Sequence, residues 1–292
     1  MTRLFFVIAF IALLVGGIVL YRNTQQTLHT PTTANTQAAT SSSVSQSMSN
    51  VACRKKGIAL GNNPQEIAEM QVAWYYDWKT TPVQGVPNTT SFIPMMWGIN
   101  SAGAMTQRVP IVLGFNEPNI ANQSNISPAQ ALAAWPQVQK WGIRVGAPAI
   151  GGDSTAARAW LTAFMTGAQQ QHLRVDFIPI HWYGPPDPAT FLSFVDSVHA
   201  QFNLPIWITE FAVKDSLNGG ATYTPAQVLS FMHAVLPALE NRPYVERFSW
   251  FAGIGVHPEA LTASRLVDSN GNLTPLGQYY ASFPETGSVC GQ

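Results

Sequence analysis

From residue 57 onward the chain alternates short, apolar, β-rich runs with stretches whose apolar positions recur at helical spacing. That alternation is the pattern of a parallel sheet whose strands are joined by helical crossovers. Eight runs read as strands: 57–60, 72–76, 92–97, 110–115, 144–147, 177–181, 206–209 and 247–251. Between them, Ser127-Pro128 opens a helix that runs to Trp141 and ends at Gly142, an N-cap followed by Pro at the first helical position. Thr224-Pro225 repeats the device ahead of a helix at 226–239, and 156–171, 189–202 and 275–282 carry the same spacing. The connections after the second and third strands lack a long helical pattern, so irregular loops are expected there. Eight β/α units in about 240 residues predict an α/β fold of the (β/α)₈ TIM-barrel type in one domain, with a doubly wound open sheet as the competing topology.

The first fifty residues read differently. Behind Arg3, positions 4–20 form an uninterrupted apolar run, reaching roughly 26 Å against a bilayer core of about 30 Å. No small-x-small cleavage motif follows it closely. Residues 1–22 are therefore expected to be a signal anchor or, alternatively, a signal peptide. Residues 23–52 are mostly Thr, Ser, Gln, Asn and Ala with a single Pro, a polar segment with almost nothing to bury, and read as a disordered stalk. The catalytic unit is then 53–292, expected outside the cytoplasm. Cys53 and Cys290, the chain's two cysteines, bracket it. In an exported protein that pair argues for a disulfide, with two unpaired thiols as the alternative.

Composition narrows the chemistry. Charged residues are 10% of the 292, and Lys+Arg equals Asp+Glu at 15 each, so neither nucleic acid nor an acidic surface is an expected partner. Nine Trp in a chain that is 11% aromatic offer platforms for the apolar faces of neutral sugars, although core packing also consumes Trp. No His-Glu-x-x-His, paired Cys-x-x-Cys or Walker loop occurs, which leaves metal, zinc-ribbon and nucleotide chemistry without support. Asn88, Asn122, Asn125 and Asn272 match the glycosylation sequon.

Active sites of such barrels lie at the C-terminal ends of the strands. Here those ends read Trp74-Tyr75-Tyr76-Asp77-Trp78, Trp97-Gly98, Phe115-Asn116-Glu117-Pro118-Asn119, His181-Trp182-Tyr183-Gly184, Thr209-Glu210-Phe211 and Trp250-Phe251. Glu117 and Glu210 close the fourth and seventh strands, nearly opposite around a barrel, so both can reach one cleft. Cleaving a glycosidic bond with retention needs two carboxyl groups about 5 Å apart. Otherwise each would be a structural carboxylate, paired with an arginine such as Arg144.

Gly114-Phe115-Asn116-Glu117-Pro118-Asn119 resembles the Asn-Glu-Pro signature of clan A glycoside hydrolases, and Trp207-Ile208-Thr209-Glu210-Phe211 resembles their nucleophile segment. With Ile180-His181-Trp182-Tyr183-Gly184 between them, the chain resembles glycoside hydrolase family 128, the Asl1-like catalytic domain, from about residue 57 to 283. The resemblance implies an enzyme that cleaves β-1,3-glucan with retention and needs no metal; a monomer without cofactor is expected. Glu117 would be acid/base and Glu210 nucleophile, with Asn116 donating to the sugar 2-hydroxyl and Tyr183 hydrogen-bonding the nucleophile. Trp250 would floor the subsite of cleavage and His181 would line the cleft. Trp74, Tyr75, Trp97 and Trp182 are candidates for glucan subsites. Two rivals stand beside this reading: a same-clan glycosidase for another β-linked polysaccharide, and a wall protein that binds glucan without turnover.

Overall fold

The structure is a computed structural model that describes residues 54–59, 63–215, 222–251 and 259–283. Its elements follow the predicted alternation: β1 (Lys56–Ala59), α1 (Pro64–Glu69), β2 (Trp74–Tyr76), β3 (Ser91–Phe92), β4 (Val109–Val112), α2 (Pro128–Trp141), β5 (Gly142–Val145), β6 (Ile150–Gly151), α3 (Thr155–Gln170), β7 (Ile178–Gly184), α4 (Pro188–Phe202), β8 (Ile206–Val213), α5 (Pro225–Glu240), β9 (Val245–Trp250) and α6 (Pro275–Ser282). Every strand pairing is parallel. One sheet runs β3-β2-β1-β9-β8-β7-β6 and a second pairs β4 with β5. Single parallel bridges join them, Met95 to Leu113 on one side and Gly146 to Phe177 on the other. Because β5 and β6 are two halves of one broken strand, nine segments occupy eight positions and the circuit closes into a (β/α)₈ barrel. The open-sheet alternative falls with that closure.

Five of the six α-helices among the described residues begin with a capping side chain followed directly by proline: Asn63, Ser127, Asp187, Thr224 and Thr274 each accept a backbone N–H of the first turn. The proline sets φ where no N–H is needed, and the cap satisfies a donor the helix leaves open. As expected, the connections after β2 and β3 hold no α-helix, only a 3₁₀ segment at Ile99–Ala104.

Several boundaries differ from the sequence reading, and β3 and β4 stop at Phe92 and Val112, short of the predicted 97 and 115. β7 and β8 run on to Gly184 and Val213, since their C-terminal residues keep pairing well past the predicted ends. The fifth strand begins at Gly142, where the last turn of α2 passes straight into extended backbone, and it breaks before resuming as β6.

Side chains sort into two cores. Ala59, Trp74, Tyr76, Ile93, Met95, Leu113, Phe177 and Trp207 fill the barrel, with Phe177 stacked on Trp207 at 4.2 Å. A larger cluster packs the outer strand faces against the helices. Two adjacent buried lysines tie the start of the barrel to its end. The Lys55 ammonium donates to the carbonyls of Glu240 and Arg242 at the end of α5, and that of Lys56 to Tyr280 and Ala281 at the end of α6. Each places a cation at the negative pole of a helix.

Among the described residues no helix is long and apolar enough to cross a membrane. The apolar run 4–20, the stalk 23–52 and both Cys53 and Cys290 lie outside them.

Candidate active site

Strand parity decides which side chains can meet. In β8, Ile206 and Ile208 join the outer core and Trp207 the inner one, so strict alternation would send Glu210 outward, toward the helices. The register corrects this. Ile208 pairs with Ile180 but Glu210 pairs with His181, which leaves Thr209 as an extra residue on β8. A bulge of this kind re-aims the residues after it, and it turns Glu210 into the barrel mouth while Phe211 goes out.

Glu117 is placed by different means. Its backbone is left-handed, with φ +40°, a conformation costly for a residue with a side chain and common at functional sites. Its N–H donates to the carbonyl of Ala149 at 2.8 Å. Asn119 holds the neighbouring β6 by both ends of its amide, accepting from Gly151 N at 2.9 Å and donating to Gly151 O at 3.1 Å. A Cβ at Gly151 would lie 2.9 Å from the Glu117 carboxyl carbon and 2.3 Å from Ile120, so any larger residue there would displace the Glu117 side chain.

The two carboxyl groups, both almost fully buried, thereby converge. Single donor atoms of Glu117, His181 and Glu210 lie within 4.8 Å of one another. His181 Nδ1 sits 2.9 Å from Glu117 Oε1 and 3.4 Å from Glu210 Oε2. Glu210 accepts three further bonds from neutral donors: Tyr76 Oη at 2.8 Å and Trp78 Nε1 at 2.9 Å on Oε1, and Tyr183 Oη at 2.5 Å on Oε2. Burial, together with the Glu210 charge, pushes the Tyr76 and Tyr183 phenols well above the ordinary tyrosine value. Burial alone would lower His181, but the Glu210 charge and the Glu117 hydrogen bond outweigh it and the net shift is upward. Arg144 is engaged elsewhere, with Glu246 at 2.9 Å, so neither glutamate is a structural partner for it.

Above these groups lies a cleft of about 690 Å³, lined by Trp78, Trp97, Asn116, Gln123, Tyr183 and Phe251 among others. Asn116 donates from Nδ2 to Gln123 Oε1 at 3.2 Å, leaving one N–H of that amide for another acceptor. Trp97 is 36% exposed, as a platform requires.

Four aromatic candidates are not in the cleft. Trp182 and Trp250 belong to an outward row, Trp182 in register with Phe211 and Phe211 with Trp250, packed under Phe191 and Phe231 of α4 and α5. Tyr75 also faces outward, its hydroxyl accepting from Val83 N, and Trp74 points inward but lies deep in the barrel, its indole donating to the Lys55 carbonyl. His181 is 0% exposed, so it meets the glutamates rather than the open cleft. The residues missed were Tyr76, Trp78 and Phe251. Tyr76 stands two residues from Trp74 on the inward face of β2, and Phe251 follows the outward Trp250, so alternation counted along each strand would have found these two. Trp78, at φ +58° beyond the end of β2, leaves no such trace.

Residues 57–280 match the sequence profile of the glycosyl hydrolase catalytic core family. Alkali-sensitive linkage protein 1 of Schizosaccharomyces pombe is 30% identical over 228 residues, covering 72% of this chain; the chain spans 40% of that relative's length. Among solved structures, a mutant of a subgroup I GH128 endo-β-1,3-glucanase from Amycolatopsis mediterranei, in complex with laminaritriose and laminaribiose, superposes with a TM-score of 0.68 at 30% identity, covering 78% of this chain and 98% of its own. A subgroup II GH128 endo-β-1,3-glucanase from Sorangium cellulosum gives 0.67 at 26%, covering 80% and 99%.

Proposed function

We propose, from the premise that this chain belongs to the glycosyl hydrolase catalytic core family and within it to glycoside hydrolase family 128, that it is a retaining endo-β-1,3-glucanase. The observation that carries the reading is that one carboxyl oxygen from each of two buried glutamates lies within 4.8 Å of the other, which favours direct attack over the roughly 6.5–9.5 Å separation that holds a water between the groups. The laminari-oligosaccharide complex of the structural neighbour supports the choice of linkage.

In this mechanism Glu210 is the nucleophile. Three neutral donors, Tyr76, Trp78 and Tyr183, hold its carboxyl oxygens in place. It attacks the anomeric carbon while Glu117 protonates the departing oxygen, forming a covalent glycosyl-enzyme. Glu117, then ionised, takes a proton from water, and that water releases the sugar. His181 orients the Glu117 carboxyl through Oε1, leaving Oε2 to face the reacting oxygen. Asn116 supplies its remaining N–H to the 2-hydroxyl, a contact that tightens as the ring becomes oxocarbenium-like. Trp97, Trp78 and Phe251 are the aromatic surfaces for sugar rings, in place of Trp74, Tyr75, Trp182 and Trp250.

The same reading has the barrel working outside the cytoplasm as a monomer, on the stalk 23–52 behind the apolar run 4–20. The test is product analysis on linkage-defined polymers with the product anomer followed by NMR. Short β-1,3-linked products of retained configuration are expected from a linear β-1,3-glucan, with cellulose left largely intact. Preferential cleavage of another β-linked polymer would move the chain to a different substrate, and binding without turnover would make it a wall-binding protein.

A further inference from the structure

The groups that perform hydrolysis also form a donor set of another kind. Glu117, His181 and Glu210 each offer one donor atom, these atoms lie within 4.8 Å of one another, all three residues are buried, and the two glutamates line the cleft. Three protein ligands with one open position is the arrangement of exchangeable zinc sites. Bonds of about 2.1 Å set neighbouring donors about 3.4 Å apart in a tetrahedral shell. His181 Nδ1 already lies 2.9 Å from Glu117 Oε1 and 3.4 Å from Glu210 Oε2.

We propose that Glu117, His181 and Glu210 form an inhibitory site for a divalent cation of borderline softness, Zn²⁺ or Cu²⁺, on the floor of the cleft. The inference rests on the assignment of these glutamates to catalysis only for its inhibitory consequence. Two carboxylates neutralise the ion's charge, and the imidazole selects against Mg²⁺ and Ca²⁺, which prefer all-oxygen shells. Tyr76, Trp78 and Tyr183, which hydrogen-bond Glu210, are the outer shell that keeps the ligand carboxylate in place. The ion replaces the proton that His181 Nδ1 now shares with Glu117. Bound there, it occupies the nucleophile and the acid/base together, so sugar and metal exclude each other.

The experiment uses the full chain. Calorimetry with Zn²⁺ and the visible absorption of bound Co²⁺ report occupancy without any turnover, and glucan cleavage is followed in parallel. One ion per chain is expected, with inhibition reversed by a chelator, relieved by laminaritriose, and absent with Mg²⁺ or Ca²⁺ at the same concentration. His181→Gln should lower Zn²⁺ affinity tenfold or more. Should that variant fold poorly, Glu210→Gln gives the same readout, with each variant's circular dichroism as the control. No stoichiometric binding, or binding unchanged in both folded variants, overturns the site. Metal bound as expected by a chain that cleaves no β-linked glucan would instead overturn the proposed function and leave the site standing.

Discussion

At the residue scale, the two glutamates are distinguished by their neighbours. Glu210 receives three neutral hydrogen-bond donors, whereas among the described residues the Glu117 side chain hydrogen-bonds only His181. The two alanine variants should therefore fail differently. Glu117→Ala should still react with an aryl glycoside whose leaving group needs no proton, then stall, and azide should rescue it with retained configuration. Glu210→Ala should form no covalent intermediate, and azide should yield the inverted glycosyl azide. NMR of the azide products checks both, and the opposite pattern would exchange the roles. Tyr183→Phe removes one hydrogen bond to a charged acceptor, worth about 1.5–3 kcal/mol, so kcat/KM should fall roughly ten- to a hundredfold. The same phenol has an alkaline signature. Its folded value lies well above the ordinary 10, so its contribution to stability is complete below pH 10 and is lost as pH rises from there through the folded value. Melting temperatures from pH 8 to 11 should fall less steeply for Tyr183→Phe than for the parent, and equal slopes would contradict the assignment.

At the element scale, parity separates side chains that hold the barrel from those that face the cleft. Trp182 and Tyr183 are adjacent in β7 and serve opposite faces. Trp182→Ala should cost about 3–5 kcal/mol of stability through the cavity it leaves under α4 and α5, while the KM of the remaining folded enzyme stays near that of the parent. Trp78→Phe should do the reverse, keeping the melting temperature and lowering kcat through the lost donor to Glu210; chemical denaturation beside steady-state kinetics checks the pair. The same logic explains what could be read in advance. The strand and helix alternation, the caps at Ser127 and Thr224, and the positions of Glu117 and Glu210 follow from local patterns, and all reappear in the structure. The outward placement of Trp182 and Trp250 does not follow from their place at strand ends; it needs the alternation to be counted. The bulge at Thr209 is harder still, because one unpaired residue reverses the parity of all that follows and its only sign is the register with β7. Trp78 reaches Glu210 from a loop in left-handed backbone, which no periodicity encodes.

For the whole molecule, the question is how the barrel is closed at its chain ends. The first strand's Lys56 ammonium lies within hydrogen-bond reach of the carbonyls of Tyr280 and Ala281, 2.9 and 3.1 Å away, so the beginning and end of the described fold are neighbours. Cys53 is three residues before Lys56 and Cys290 seven after Phe283, and a chain spans up to about 3.3–3.6 Å per residue. A disulfide between them therefore asks for no opening of the barrel. Closing a loop of over two hundred residues would stabilise the fold by roughly 5 kcal/mol in the chain-entropy treatment. Protein exported to an oxidising compartment should show no free thiol when titrated in denaturant, and the double substitution Cys53→Ser, Cys290→Ser should lower the midpoint of unfolding while leaving kcat unchanged. A chain shortened to begin at Ser47 retains both cysteines and every residue of the site. It should be soluble, match the parent in melting temperature, and cleave β-1,3-glucan at the parent's rate. Two titrating thiols in the exported protein would remove the disulfide from this account, and a shortened chain that fails to fold would mean that the apolar run and the stalk contribute to the core.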